Sequence, residues 1–152
     1  MKKITPFLWF DTQAEEAMNF YVSIFKNSKV GGVSRGPDGK VFTVSFELDG
    51  QEFIGLNAGP QFKFNESISM FVNCENQKEV DELWNKLTAN GGEESMCGWL
   101  KDKYGLSWQI IPKQLGELMG DPNPAKAQNV MQAMLKMQKI IVAELQKAYD
   151  GH

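Results

Sequence analysis

The chain repeats its own plan. Residues 4–10 are an apolar, strand-like run ending Phe7-Leu8-Trp9-Phe10, followed by a polar break at Asp11 and an amphipathic helix that closes on Asn19-Phe20-Tyr21. Residues 68–87 do the same: Ile68-Ser69-Met70-Phe71-Val72, a break at Asn73, then a helix carrying Leu83-Trp84. Each copy runs on into strand-like segments that turn at a glycine, at Asp49-Gly50 and at Tyr104-Gly105. A duplicated strand–helix–strands unit restricts the fold to two similar modules whose curved sheets face a common cleft. Clefts of that kind commonly take small molecules.

Local chemistry fills in the elements. Asp11 or Thr12 is placed to cap the first helix, with Glu15 and Glu16 in its first turn. Ala14, Ala17, Met18, Tyr21 and Val22 give that helix one apolar face. Residues 27–32 are expected to end it, with a short strand at Val33-Ser34-Arg35 and turn chemistry at Gly36-Pro37-Asp38-Gly39. Alternation over residues 41–48 predicts a half-buried strand, and Asp49-Gly50 a hairpin into residues 52–57. Residues 58–66 lack a period and are expected to be an ordered connection. In the second copy a helix over 79–87 stops at Asn90-Gly91-Gly92, and strands over 96–101 and 107–111 flank a hairpin, with Pro112 as terminator. Beyond the duplication, Asp121-Pro122-Asn123-Pro124 opens an apolar stripe from Ala127 to Tyr149, which predicts one C-terminal helix over about 123–149, laid on the domain's own sheet in preference to a partner or a dimer seam.

The fold class expected is therefore α+β in one domain over 1–152, with module 1 about 4–57, module 2 about 67–112 and the added C-terminal helix. A formal charge of −3 without a clustered basic face argues against nucleic acid as a partner. No run of about 18 apolar residues exists, so no membrane partner is expected. The early acidic residues Asp11, Glu15 and Glu16 interrupt any signal-peptide core, and two cysteines, Cys74 and Cys97, suit reduced thiols in the cytoplasm.

Much common chemistry is missing. The one histidine is His152, the last residue, so neither a Ser-His-Asp or Cys-His constellation nor a multi-histidine metal site can be assembled. No G-x-G-x-x-G follows a strand, and the parallel sheet of a doubly wound nucleotide fold is absent. A conventional S-adenosylmethionine methyltransferase is not expected, nor any other cofactor. What remains are polar and aromatic residues on strands and strand ends: Gln109, Trp108, Asn57, Ser69, Glu66, Tyr104 and Trp99. Gln109 stands inside the apolar run 106–111 and can point into a pocket, satisfy a neighbour or face solvent. Tryptophans are more often core than ligand platforms, although Trp99 and Trp108 flank one hairpin and can wall a cleft.

Several stretches resemble one family. Pro6-Phe7-Leu8-Trp9-Phe10-Asp11 with Ala14-Glu15-Glu16-Ala17-Met18-Asn19-Phe20-Tyr21, residues 56–64, Cys97-Gly98-Trp99-Leu100-Lys101-Asp102, residues 104–112 and the tail 121–134 are similar to the PhnB-like branch of the glyoxalase/bleomycin-resistance/extradiol-dioxygenase superfamily. Members often carry the label 3-demethylubiquinone-9 3-methyltransferase. The resemblance implies paired βαβββ modules forming a cupped mixed sheet, usually in a homodimer. In metal-using relatives, His, Gln or Glu on the opening and closing strands hold a divalent ion that polarises two neighbouring substrate oxygens. By motif position the opening-strand ligands fall near Pro6 and Ser69, one closing-strand ligand falls on Gln109, and the other lies within 54–57. Only Gln109 and Asn57 retain donor character, and neutral amides alone make a weak site.

Two classes of function follow. One is a metal-free homodimer that binds a small molecule, as bleomycin-resistance relatives do. The other is an enzyme on the same scaffold, of isomerase, lyase or dioxygenase type, with a weak metal site or acid–base groups such as Glu66 and Tyr104. A purely structural dimer is a third possibility.

Overall fold

A computed structural model describes residues 2–151. The chain divides between Phe64 and Asn65 into two compact units, each built on its own four-stranded mixed sheet.

The first unit runs β1 (Phe7–Phe10), α1 (Ala14–Ile24), β2 (Lys29–Arg35), β3 (Val41–Leu48) and β4 (Gln51–Asn57). Its sheet order is β1-β4-β3-β2, with β1 parallel to β4 and the other pairs antiparallel. The apolar face predicted for α1 is buried at Ala14, Ala17, Met18 and Tyr21. It meets the alternate residues Val44, Phe46 and Phe53 of the sheet, with Tyr21 and Phe46 rings 6.2 Å apart and Phe46 stacked on Phe53 at 5.4 Å. Gly55 lets the helix approach, since a Cβ there would stand 3.3 Å from the Cβ of Ala14. The connecting residues fold back on β1: Trp9 Nε1 donates to the Gly59 carbonyl at 2.9 Å, and Phe10 meets Phe64 edge-on.

Three local expectations change. Neither Asp11 nor Thr12 caps α1; the N-cap position is Gln13, and the Ala14 N–H is taken by Asn57 Oδ1 at 2.9 Å from the end of β4. A cap supplied by tertiary structure leaves no local signature. Residues 29–32 belong to β2 rather than to a helix terminus, because the Gly31-Gly32 pair forms a bulge. A Cβ on Gly31 would lie 2.6 Å from the Ser45 carbonyl oxygen, and the Gly32 N–H donates to Ser45 Oγ. The opening strand begins at Phe7, leaving Ile4 exposed.

The second unit repeats the topology: β5 (Ser69–Cys74), α2 (Gln77–Thr88), β6 (Glu93–Glu94), β7 (Trp99–Lys101) and β8 (Ser107–Pro112), in the order β5-β8-β7-β6 with β5 parallel to β8. Here the helix has a local cap, Asn76 Oδ1 accepting from the Glu79 N–H at 3.0 Å. Val80, Leu83, Trp84 and Leu87 form its buried face. The strand expected over 96–101 is only Trp99–Lys101. Cys97 and Gly98 both have positive φ (59° and 84°), and their N–H groups donate to the carbonyls of Met137 and Gln138.

The tail is not one helix. It forms α3 (Lys113–Met119), which the sequence reading missed, then α4 (Pro124–Met134) and α5 (Val142–Asp150). Residues 135–141 carry the stripe's spacing without the helix, because Met137 and Ile140 are buried among Ile111, Leu115, Val130 and Leu145. Periodicity registers burial here, not conformation. The tail packs on the end of its own unit through these residues. Both cysteines are free thiols, and among the described residues no helix is long and apolar enough to cross a membrane.

Candidate functional site

The site builds outward from Gln109. In β8, Trp108 and Ile110 point to one side of the sheet and the alternate residues Ser107 and Gln109 to the other, and of these four only Gln109 is not buried. Cross-strand partners share a face. The register therefore sets two rows across three strands: Phe71 (β5), Gln109 (β8) and Trp99 (β7), and beside it Ser69 (β5), Ser107 (β8) and Lys101 (β7). The first row is aromatic–amide–aromatic, with Phe71 61% exposed and Trp99 half-buried. The second is hydroxyl–hydroxyl–ammonium.

The rows are joined. Gln109 Nε2 donates to Ser69 Oγ at 2.9 Å, which turns the amide oxygen of Gln109 away from that contact. Lys101 forms an ion pair with Glu66, from the segment preceding β5. The hydrogen bond and charge of Lys101 hold the Glu66 carboxyl below its ordinary range, and the same contact, helped by Glu93, raises the Lys101 ammonium. Between them Ser107 is 1% exposed, and its Oγ has no hydrogen-bond partner. A buried hydroxyl without a partner is uncommon and calls for a reason.

The turn behind these rows is fastened by Asp102, itself 2% exposed. Its Oδ1 accepts from the N–H groups of Tyr104 (2.9 Å) and Leu106 (3.1 Å), and its Oδ2 from Trp108 Nε1 (2.9 Å). Gly105, at φ 89°, completes the turn.

Of the residues singled out in the sequence, Gln109, Ser69 and Trp99 share one face, and Glu66 reaches it through Lys101. Trp108 does not; it is on the opposite face of β8, bonded to Asp102. Tyr104 is in the turn. Asn57 belongs to the first unit, where its Oδ1 caps α1 and its Nδ2 donates to the Val41 carbonyl at 3.2 Å, so both ends of its amide are engaged. Phe71, Lys101, Ser107 and Asp102 were not anticipated. Asp102 alone had a local signal, an Asp two residues before a Tyr-Gly turn. The others emerge only from strand register. Two shallow depressions lie elsewhere, about 400 Å³ beside Pro37 and Phe42 and about 350 Å³ between α4 and α5. The first is lined by Asp38 and Lys40 and the second by Lys136, Glu144 and Lys147, and neither includes a residue of the two rows.

The register also locates the family's ligand positions. Phe7 pairs Ile54 as Phe71 pairs Gln109, and Ile54 follows Gly50 by the same interval as Gln109 follows Gly105. The first-module counterpart of Gln109 is thus Ile54, and that of Ser69 is Thr5. The donors in these places are an amide and two hydroxyls, with an isoleucine as the fourth residue. Among the described residues no group of three His, Cys, Asp or Glu side chains is placed to hold a metal. Such neutral donors do not fit a divalent transition ion.

Two βαβββ units of identical strand order define a protein of the vicinal oxygen chelate class. Residues 2–111 match the family model described as 3-demethylubiquinone-9 3-methyltransferase, and the chain belongs to that family, the PhnB-like branch of the glyoxalase superfamily. A PhnB protein from Bacillus cereus bearing the same methyltransferase label is 38% identical, over 73% of this chain and 99% of that one, at a TM-score of 0.68. Protein PA1353 from Pseudomonas aeruginosa (16% identity, 74% and 98% coverage, TM-score 0.60) shares the fold. So does the fosfomycin resistance protein FosX from Listeria monocytogenes (17% identity, 76% and 94% coverage, TM-score 0.56). No curated protein matches the chain in sequence.

Proposed function

We propose that the protein binds a small organic molecule on the face formed by Phe71, Gln109 and Trp99 with Ser69, Ser107 and Lys101, and does so without a tightly held metal. The observation that carries this reading is the Gln109–Ser69 pair. Where metal-using relatives place chelating side chains, this chain has a neutral amide donating to a hydroxyl at 2.9 Å. Exposed aromatic surface beside fixed polar groups is the usual make-up of a small-molecule site. Methyl transfer, which the family label names, has no support in the sequence, since the glycine-rich phosphate loop and doubly wound sheet of a nucleotide-type cofactor site are both missing.

An enzyme on the same scaffold is the second reading. FosX, a fold relative, has been crystallised with Mn(II) and sulfate. Here Gln109, Ile54, Ser69 and Thr5 stand in the chelating places, so metal-assisted chemistry lacks its donors and no step is assigned to it. The protein is further proposed to act as a cytoplasmic homodimer. Exposed Phe7 and Ile68, on and beside the edge strands β1 and β5, and the two free thiols support that placement.

The test is a screen of aromatic fragments against the full chain, read by ¹H–¹⁵N NMR, with elemental analysis of the same preparation. Hits should move the Gln109 side-chain amide and the Trp99 indole N–H, in protein free of stoichiometric zinc, nickel, iron or manganese. Hits confined to other surfaces, or one tightly held metal per chain lost in Gln109→Ala, would overturn the reading.

A further inference from the structure

We infer that the ligand of this face is an aromatic anion, a planar ring carrying a carboxylate or similar oxyanion, whose charge replaces Glu66 on Lys101 and whose oxygen meets the orphaned Ser107 hydroxyl. The inference rests on the binding reading above and gives it a ligand class. Its warrant is the division of labour between the two rows. Phe71, Gln109 and Trp99 are successive neighbours on adjacent strands, so the backbones that carry the two rings stand two strand spacings, about 10 Å, apart. A planar ring fits between or against such walls, with an amide on the floor beneath it. One strand position away, Ser69, Ser107 and Lys101 supply two hydroxyls and an ammonium. That set suits an oxyanion, because ammonium and hydroxyl donors to a charged acceptor make the stronger hydrogen bonds.

Glu66 already shows what Lys101 accepts. The side chain of Glu66 is 62% exposed and that of Lys101 35%, so the carboxylate sits on the outside of the pair and can leave without disturbing packed structure. Exposed ion pairs of this type contribute little to stability. A ligand carboxylate that also engaged Ser107 would offer the ammonium an equal partner and give the hydroxyl the one it lacks. A neutral ring would leave both as they are.

Calorimetric titration of the full chain with benzoate, benzyl alcohol and acetate tests this directly. Benzoate should bind at least tenfold more tightly than benzyl alcohol, and acetate more weakly than benzoate by a similar margin. Lys101→Met should bring benzoate down to the level of benzyl alcohol, whereas Glu66→Gln should tighten benzoate several-fold and leave benzyl alcohol unchanged. Phe71→Ala should weaken both aromatic probes and confirms the face used. Equal binding of benzoate and benzyl alcohol, with NMR shifts at Gln109 and Trp99, would sink the anion inference and leave the small-molecule reading standing. Tight benzoate binding unaffected by Lys101→Met would sink it too. Failure of every probe, or ligand-free resonances of this face that move with protein concentration because a second copy covers it, would overturn both.

Discussion

Gln77, in the first turn of α2, bonds to Ile140, 63 residues further along the chain: its Nε2 donates to the Ile140 carbonyl at 2.9 Å, while its Oε1 accepts the N–H of Val142 at 2.7 Å. One side-chain amide thus satisfies a backbone acceptor and a backbone donor where the tail passes from turn to α5. Its Nε2 also meets Asp81 Oδ1, which in turn holds Lys139 at 2.8 Å. The interruption between α4 and α5 is therefore built into the second unit by α2.

Gln77→Ala should cost about 1–3 kcal/mol, since it strands a partly buried carbonyl and N–H together. Urea denaturation should show a lower midpoint at an unchanged slope. A midpoint equal to that of the parent protein would mean that water replaces the amide and that the tail is held by apolar packing alone.

The tail is also tied at its far end. Tyr149 Oη donates to Asp121 Oδ2 at 2.6 Å, and Lys126 lies over the Tyr149 ring, 4.5 Å from its centroid. That hydrogen bond holds the Asp121 carboxyl below its ordinary range and raises the Tyr149 phenol. The depressed Asp121 contributes stability that is present above its unfolded pKa, near 3.8, and is lost as pH falls through the folded value. The raised Tyr149 contributes stability that is present below its unfolded pKa, near 10, and is lost as pH rises through the folded value. Tyr149→Phe should therefore narrow the gap to the parent protein at both extremes of pH and leave it widest between about 5 and 9. A stability difference that is constant from pH 3 to 11 would contradict the assignment.

The two thiols should separate in reactivity. Cys74 is fully buried, and burial, reinforced by neighbouring Glu79, pushes its thiol up to about 12. At pH 8 almost none of it is thiolate, the form that attacks a disulfide reagent. Native protein treated with such a reagent should release one equivalent quickly, from the half-buried Cys97, and Cys97→Ser should abolish that phase. Fast release from Cys97→Ser would show that Cys74 is reached by opening of the second sheet.

How much of this was written in the sequence depends on whether the partners are near one another in the chain. The duplication, the apolar faces of α1 and α2 and the two hairpin turns rest on spacing within a few residues, and they stand where the pattern places them. The cap of α1 by Asn57, the bulge at Gly31-Gly32 against Ser45 and the break in the tail each depend on a residue from another element. No local pattern encodes those. The candidate site divides in the same way. Gln109 stood out as an amide in an apolar strand, and Ser69 by motif position. Phe71, Ser107 and Lys101 join them only through register, and Trp108 leaves them because adjacent strand residues point to opposite faces.

Asp102 should prove the residue on which that register depends. It is a buried carboxylate that accepts two turn N–H groups through one oxygen and the Trp108 indole through the other. The turn it closes fixes the pairing of Lys101 with Ser107 and of Trp99 with Gln109. A one-residue slip would carry Gln109 to the wrong face, so the Asp102 contacts control the site without touching a ligand. Asp102→Ala leaves the Leu106 N–H and the Trp108 indole N–H without that acceptor, a loss of about 3 kcal/mol. Asp102→Asn keeps an oxygen for the turn and sets an NH₂ against the indole, so its loss should be smaller. Hydrogen exchange at the Leu106 amide should rank the three proteins, slowest in the parent, faster in Asp102→Asn and fastest in Asp102→Ala. Benzoate affinity should fall in the same order. If Leu106 exchanges at one rate in all three, the hairpin is held by its strands and Asp102 has no part in positioning the site.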